Sequence, residues 1–133
     1  MWSFKGVIYG NLQSKANSRR ITFRGGKPRS IKSAAALAWW ESAILQLRAL
    51  GKRQEPFCGP ICLTARVFYQ SKRSDLDISL LMDVLQVGTP KNLGMGIIGN
   101  DRQIQKQILV KEIDGERPRV EFWLEEYQAP KLP

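Results

Sequence analysis

The chain has 133 residues, of which 43% are hydrophobic, and it carries a formal net charge of +9 with no histidine. This size fits one domain, residues 1–133, built around one core. No run approaches the roughly 18 apolar residues of a membrane span, and the start lacks the apolar region of a signal peptide, so we expect a cytoplasmic protein with no membrane partner. The absence of histidine excludes Ser-His and Cys-His nucleophile pairs and imidazole general bases.

The two cysteines point to neither a disulfide nor a zinc site. Cys58 and Cys62 flank Gly59-Pro60, which excludes a helix there. An extended segment puts their α-carbons roughly 13 Å apart, beyond the ~7 Å reach of a disulfide. With no further cysteine, the usual zinc sites are excluded, and we expect both residues to be small buried thiols.

The positive charge is concentrated at the N-terminal side. Residues 1–56 hold 11 of the 21 basic residues and only 2 of the 12 acidic ones. This density indicates a polyanion partner such as nucleic acid, and a solvated basic arm is the alternative. We expect a basic loop over residues 11–32 whose phosphate contacts come from Lys15, Arg19, Arg20 and Arg24.

The first half of the chain predicts a strand and a helix around that loop. Residues 2–9 mix aromatic and branched side chains and are typical of a strand, and residues 20–24 can form a small ribbon. A helix is predicted over residues 33–50, capped by Ser33 and ended by Gly51. Trp39 lies beside its apolar face, available for a subunit contact. That face consists of Leu37, Trp40, Ile44 and Leu47.

The second half predicts a strand over residues 61–70 that is central and covered on both faces, then a helix from about residue 78. A strand follows over residues 104–113. Asp114-Gly115 is a two-residue hairpin signal that leads into a strand over residues 116–124. The literal G-x-G-x-x-G of residues 94–99 is no dinucleotide fingerprint, because a helix and a Pro turn precede it and a strand pattern follows. We expect a disordered tail over residues 128–133.

The predicted fold class is α+β, with two layers. One mixed four-stranded sheet carries helices packed on it, and the elements follow the order β-α-β-α-β-β.

Three carboxylates are the candidate site. Asp75 and Asp77 follow the central strand, and Asp101 follows the glycine-rich segment, in a chain whose excess charge is positive. Asp83 lies off the apolar stripe of the second helix and is either a further acid of the site or a solvated residue. Carboxylate oxygens suit Mg²⁺, which keeps several waters and takes a ligand from substrate phosphate. On the structural alternative, Asp75 and Asp77 are helix caps or surface acids.

The residues around these acids resemble a known family. The Asp75-Leu76-Asp77 motif before an apolar helix, a Gly-rich spacer, the segment Asn100-Asp101-Arg102-Gln103-Ile104 and a closing hairpin look like the RusA-type Holliday junction resolvases, small bacterial and prophage enzymes. The likeness covers most of the chain. It implies a homodimeric, Mg²⁺-dependent endodeoxyribonuclease that cuts four-way junction DNA by paired nicks and uses no small-molecule cofactor. It also implies that Asp75, Asp77 and Asp101 are the metal-binding and catalytic acids, with Asp83 as a further possible ligand.

The chain departs from the family at two places. Ile78 and Leu81 stand where family members usually have Asn and Lys. Another cation would then replace the lysine, and the candidates are Lys72, Arg73 and Lys106. We expect further DNA contacts from the basic residues near the acids: Lys72, Arg73, Arg102 and Lys106. Two other functions stay open: a prophage DNA-binding accessory protein without catalysis, and a single-strand or RNA binder that uses the aromatic residues of the first strand.

Overall fold

The computed structural model describes residues 1–14, 19–24, 27–51, 55–88 and 94–132, with only the backbone for residues 19–24 and 27–32. Within these ranges the strands are β1 (Ser3–Tyr9), β2 (Arg19–Arg24), β3 (Lys27–Lys32), β4 (Ile61–Tyr69), β5 (Ile104–Ile113) and β6 (Arg119–Glu126). The helices are α1 (Ala34–Arg48), α2 (Ser79–Leu85) and a 3₁₀ turn, η1 (Asp101–Gln103).

The main sheet is mixed and has four strands in the order β1-β6-β4-β5. β4 pairs parallel with β5 and antiparallel with β6, and β1 pairs antiparallel with β6. Together with α1 and α2, the four strands of this sheet follow the predicted order β-α-β-α-β-β. The α+β fold class is therefore confirmed.

The predicted hairpin between the last two strands is wrong. β5 and β6 lie on opposite sides of β4 and do not pair with each other. The chain crosses the end of β4 between them, where the Asp114 amide donates to the Tyr69 carbonyl at 2.8 Å. The Asp114 side chain then accepts from the amides of Glu116 and Arg117, each at 3.1 Å. The Asp-Gly signal thus marks a real turn, but a wider one that leads across a strand.

The core lies between the two helices and one face of the sheet. β6 contributes Val120, Phe122 and Leu124, and all three are fully or almost fully buried. In the predicted hairpin, β6 would pair with β5. In its observed place β6 has hydrogen-bonded neighbours, β1 and β4, on both sides, and the burial of these three side chains removes their apolar surface from water.

The helix α1 begins as predicted but presents a slightly different face. Ser33 caps it, accepting from the Ala36 amide at 3.2 Å. Leu37, predicted to be in the core, is 45% exposed, and Trp39, predicted to be available to a subunit, is only 5% exposed. The small residues at positions 36 and 43 are fully buried and let α1 approach the sheet closely. This approach turns both tryptophans inward.

Two smaller expectations are also corrected. Cys62 is buried as predicted, but Cys58 is exposed. The basic segment 11–32 is not wholly a loop, because β2 and β3 form a two-stranded antiparallel ribbon within it. The small ribbon predicted from residue 20 is one strand of this pair. In the tail, residues 128–132 have no regular secondary structure.

Candidate functional site

Asp75 and Asp77 lie in the connection that leads from the end of β4 to α2. Asp75 is exposed and Asp77 is half-buried. The Asp77 Oδ1 atom accepts from the Ser79 amide at 2.9 Å and from the Ser79 hydroxyl at 2.6 Å. A carboxylate that receives two hydrogen bonds from the first residue of a helix has a fixed orientation. The N-cap of α2 is nevertheless Ile78, with no side-chain cap hydrogen bond, so the predicted capping role of the acids is wrong.

Tyr69 brings the last residue of β4 into this group. Its side chain is fully buried, and its hydroxyl oxygen accepts from the Asp77 amide at 3.2 Å. Burial raises the pKa of the Tyr69 phenol, the Asp77 amide lowers it, and the charges of Asp77 and Asp75 raise it further. The net shift is upward, so Tyr69 stays neutral beside two carboxylates. Nothing in the sequence pattern set Tyr69 apart from the other core residues of the strand.

A second acidic group lies around the C-terminal end of α2. Gln86, the residue that ends the helix, donates from its side chain to Asp83 Oδ1 at 3.5 Å. The side-chain oxygen of Gln86 accepts from the Asp101 amide at 3.0 Å. One glutamine thus joins Asp83 to the turn that carries Asp101. Asp83 and Asp101 are both half-buried.

The turn that holds Asp101 is anchored by its own residues. The Asn100 side chain accepts from the Arg102 amide at 2.8 Å, and the Gln103 side chain accepts from the Asn100 amide at 2.7 Å. Such a reciprocal arrangement is a capping box. Gln103 also donates to the carbonyls of Phe57 and Gly59, at 2.8 and 2.9 Å. Gln103 therefore fastens the Asp101 turn to the segment that enters β4, a role that its place in the Asp-x-Gln-Ile motif did not reveal.

The predicted three-acid centre is not assembled in the part of the chain that the structure describes. Within those ranges, no three Asp, Glu or Cys side chains lie close enough together to hold one metal ion. Asp75 and Asp77 share the surroundings of Tyr69, while Asp101 is linked to Asp83 through Gln86. The hydrogen bonds and charges thus join the acids in two groups, one before α2 and one around its C-terminal end. Because Mg²⁺ usually takes only one or two carboxylates and fills its shell with water and phosphate oxygens, the donor chemistry of such a pair still suits this ion.

The basic residues near the acids are exposed. Lys72 and Arg73 lie just before Asp75, Arg102 follows Asp101, and Lys106 lies on β5. Arg102 Nε donates to the Asn100 side chain at 3.2 Å, so this guanidinium is held beside the Asp101 turn. Of the basic segment, Lys15 lies outside the described residues. The side chains of Arg19, Arg20 and Arg24 are likewise not described, so their DNA contacts stay a prediction.

Two further observations concern the relation of this sequence to known proteins and the character of its helices. Comparison of the sequence with models of known protein families finds no match, and comparison with curated proteins finds no significant one. Among the described helices, none combines the length and the apolar character needed to cross a bilayer.

Proposed function

We propose that this protein is a Mg²⁺-dependent endodeoxyribonuclease that cuts four-way DNA junctions as a homodimer, as its resemblance to the RusA-type resolvases implies. The observation that carries the proposal is the group around Tyr69. There an exposed carboxylate, Asp75, stands beside Asp77, whose Oδ1 orientation is fixed by Ser79. A metal-binding carboxylate is typically oriented by neighbouring hydrogen bonds in this way.

In this proposal the chain's own residues divide the work. Asp75 and Asp77 would hold the ion, and Asp101, the third acid that the resemblance implies, would join them only if its turn moved toward them. Gln86 and Gln103 would keep the Asp101 turn in place through their hydrogen bonds. When bound, Mg²⁺ would activate a water and stabilise the departing oxygen of the phosphodiester. Lys72 and Arg73, exposed just before Asp75, would attract the phosphate backbone.

The position of the missing family lysine supports a different function. Leu81 is fully buried on α2 and Ile78 is only 4% exposed, so neither place can present a charged or amide group to a substrate. A DNA-binding accessory protein that has lost catalysis fits this substitution. The nuclease proposal instead requires a cation from elsewhere, and Lys72 and Arg73 are the nearest in sequence to Asp75.

A cleavage assay tests the proposal. Labelled four-way junction, linear duplex and single strand are each incubated with the protein, in Mg²⁺ and in chelator. We expect junction cleavage in Mg²⁺ alone. We also expect its loss in Asp75→Asn with junction binding retained, because the substitution removes charge and not shape. Glu41→Gln, at an exposed acid on α1, is the matched control and should cut normally.

Each other outcome selects another function. Tight junction binding without cleavage under any divalent metal would support the accessory protein. Preference for single strands or RNA would support the single-strand or RNA binder, in which the aromatic residues of β1 stack on bases. Cleavage that survives Asp75→Asn would contradict the assignment of the site.

A further inference from the structure

The strand β5 forms one edge of the main sheet. It is ten residues long and, among the described residues, pairs only with β4. Ile108, Val110 and Ile113 are 44%, 38% and 46% exposed along it. A long edge strand with exposed apolar side chains presents unpaired backbone amides and carbonyls to any matching strand. Proteins usually protect such an edge with proline, a bulge or charges that point across it.

β5 has little of this protection. It contains no proline, and its one irregularity in register lies near its start, between Ile104 and Lys106, so the strand is regular from Lys106 onward. The Lys111 ammonium turns back onto its own chain, donating to the Lys72 carbonyl at 3.3 Å and lying 5.9 Å from the centre of the Tyr69 ring. Glu112 lies 3.3 Å from Arg66 on the neighbouring strand β4. These charges therefore cover the chain's own surface and leave the edge accessible to a partner.

Symmetry limits how two copies of β5 can pair. If a two-fold axis perpendicular to the sheet relates the copies, each face of one sheet continues as the same face of the other. Two residues that lie directly opposite each other must then point to the same face, so their numbers differ by an even number. The two-fold axis of the antiparallel pair therefore passes beside the same residue in both copies, and we call the pair centred on that residue. Near the middle of β5 the choices are Ile108, Leu109 and Val110.

Only the register centred on Leu109 is self-complementary. It sets Lys106 opposite Glu112 of the second copy, and Ile108 opposite Val110, and the two-fold axis repeats both pairs. The register centred on Ile108 sets Lys106 opposite Val110, and the one centred on Val110 sets Ile108 opposite Glu112. Both of these bring a charge against an apolar side chain.

We propose that β5 is the dimer interface, where two copies pair antiparallel about Leu109 and join their sheets into one of eight strands. The inference rests on the proposed function for its partner, a second copy, and gives that homodimer a specific surface. Glu112 would then lie between Arg66 of its own chain and Lys106 of the second copy. Lys106 would belong to this interface and not to the DNA-binding surface.

A charge-exchange experiment tests the interface. The mass of the full chain is measured by sedimentation over a dilution series, where the monomer has 15.1 kDa and the dimer twice that mass. Lys106→Glu and Glu112→Lys each place like charges opposite each other twice. Each should raise the dissociation constant about tenfold, since cross-strand charge pairs contribute a few tenths to 1 kcal/mol each. The double variant restores opposite charges and should return the constant to within about threefold of the original.

Controls separate the interface from folding and from catalysis. Ile108→Lys should dissociate the dimer, whereas Leu45→Lys, at a 66% exposed position of α1, should not. Circular dichroism checks that each variant is folded. The interface would be refuted by a dimer that tolerates both single charge variants. It would also be refuted by a chain that stays monomeric at about 100 µM, a concentration well above micromolar dissociation constants. The junction assay is run on the same samples. A dimer that responds to these variants but never cuts DNA would refute only the nuclease.

Discussion

The side chain of Gln103 offers the sharpest test of how the candidate site is held together. It makes three hydrogen bonds, accepting from Asn100 and donating to the carbonyls of Phe57 and Gly59. Gln103→Ala removes all three and leaves the Gly59 carbonyl and the Asn100 amide to find other partners, while the Phe57 carbonyl keeps its bond from the Gly99 amide. The change therefore loosens the Asp101 turn from the segment that enters β4 without touching a carboxylate.

The size of the effect follows from the number of bonds. A net hydrogen bond contributes about 1 kcal/mol, and a partly buried group left without a partner costs more. Because these groups are only half-buried and water can reach some of them, we expect a loss of about 2 kcal/mol in the free energy of unfolding. With a urea m-value of about 2 kcal/mol/M, the midpoint should fall by about 1 M.

Urea unfolding followed by circular dichroism measures this shift. Gln105→Ala is the matched control, because Gln105 is exposed and makes one long hydrogen bond of 3.4 Å to the Arg102 carbonyl. Gln103→Glu keeps the acceptor for Asn100 but turns a carboxylate toward two carbonyls, so it should be no better than alanine. If Gln103→Ala moved the midpoint no more than Gln105→Ala does, the anchoring role of Gln103 would be wrong.

Three further predictions concern charge. The pKa of Tyr69 is raised above its ordinary value of 10.0, so the folded state holds the phenol proton more tightly than the unfolded chain does. The stabilisation from this proton is therefore complete below pH 10 and is lost as the pH rises through the folded-state pKa. Tyr69→Phe should flatten that alkaline loss in urea unfolding at pH 8 and pH 11. The Arg117 amide and then the Arg119 guanidinium lower the pKa of Asp114 from 3.8, so its contribution is complete above that value and lost as pH falls below it. Unfolding at pH 6 and pH 3 should show a smaller acid loss for Asp114→Asn. Neutralising Arg19 and Arg20 should flatten the salt dependence of DNA binding by about one unit of slope per lost contact, and an unchanged slope would exclude phosphate contacts there.

The sequence was a good guide wherever a local interaction decides the structure. Ser33 caps α1 through a hydrogen bond that spans three residues, and the Gly51 φ of +132° suits the residue that ends this helix region. β5 begins and ends at the predicted residues. Such features depend on neighbours in the chain and leave a clear pattern.

The residues that hold the candidate site together were not predictable in the same way. Tyr69 and Gln86 act through partners that are 8 and 15 residues away, and Gln103 through partners 44 and 46 residues away. A polar side chain whose partner is a backbone amide or carbonyl distant in sequence leaves no mark in the sequence. The predicted face of α1 failed for a related reason, because the depth at which Trp39 packs depends on the whole sheet.

The order of strands decides what the molecule can offer a partner. A hairpin of β5 and β6, added to the pairing of β5 with β4, would have given β5 a neighbour on each side. Because β6 instead lies between β1 and β4, its three core side chains are buried and β5 becomes the edge. The five-residue crossing 114–118, organised by Asp114, makes this possible by carrying the chain over the end of β4. Substitutions that disturb this crossing should therefore weaken the core and the proposed dimer together, whereas those along β5 itself should weaken the dimer alone.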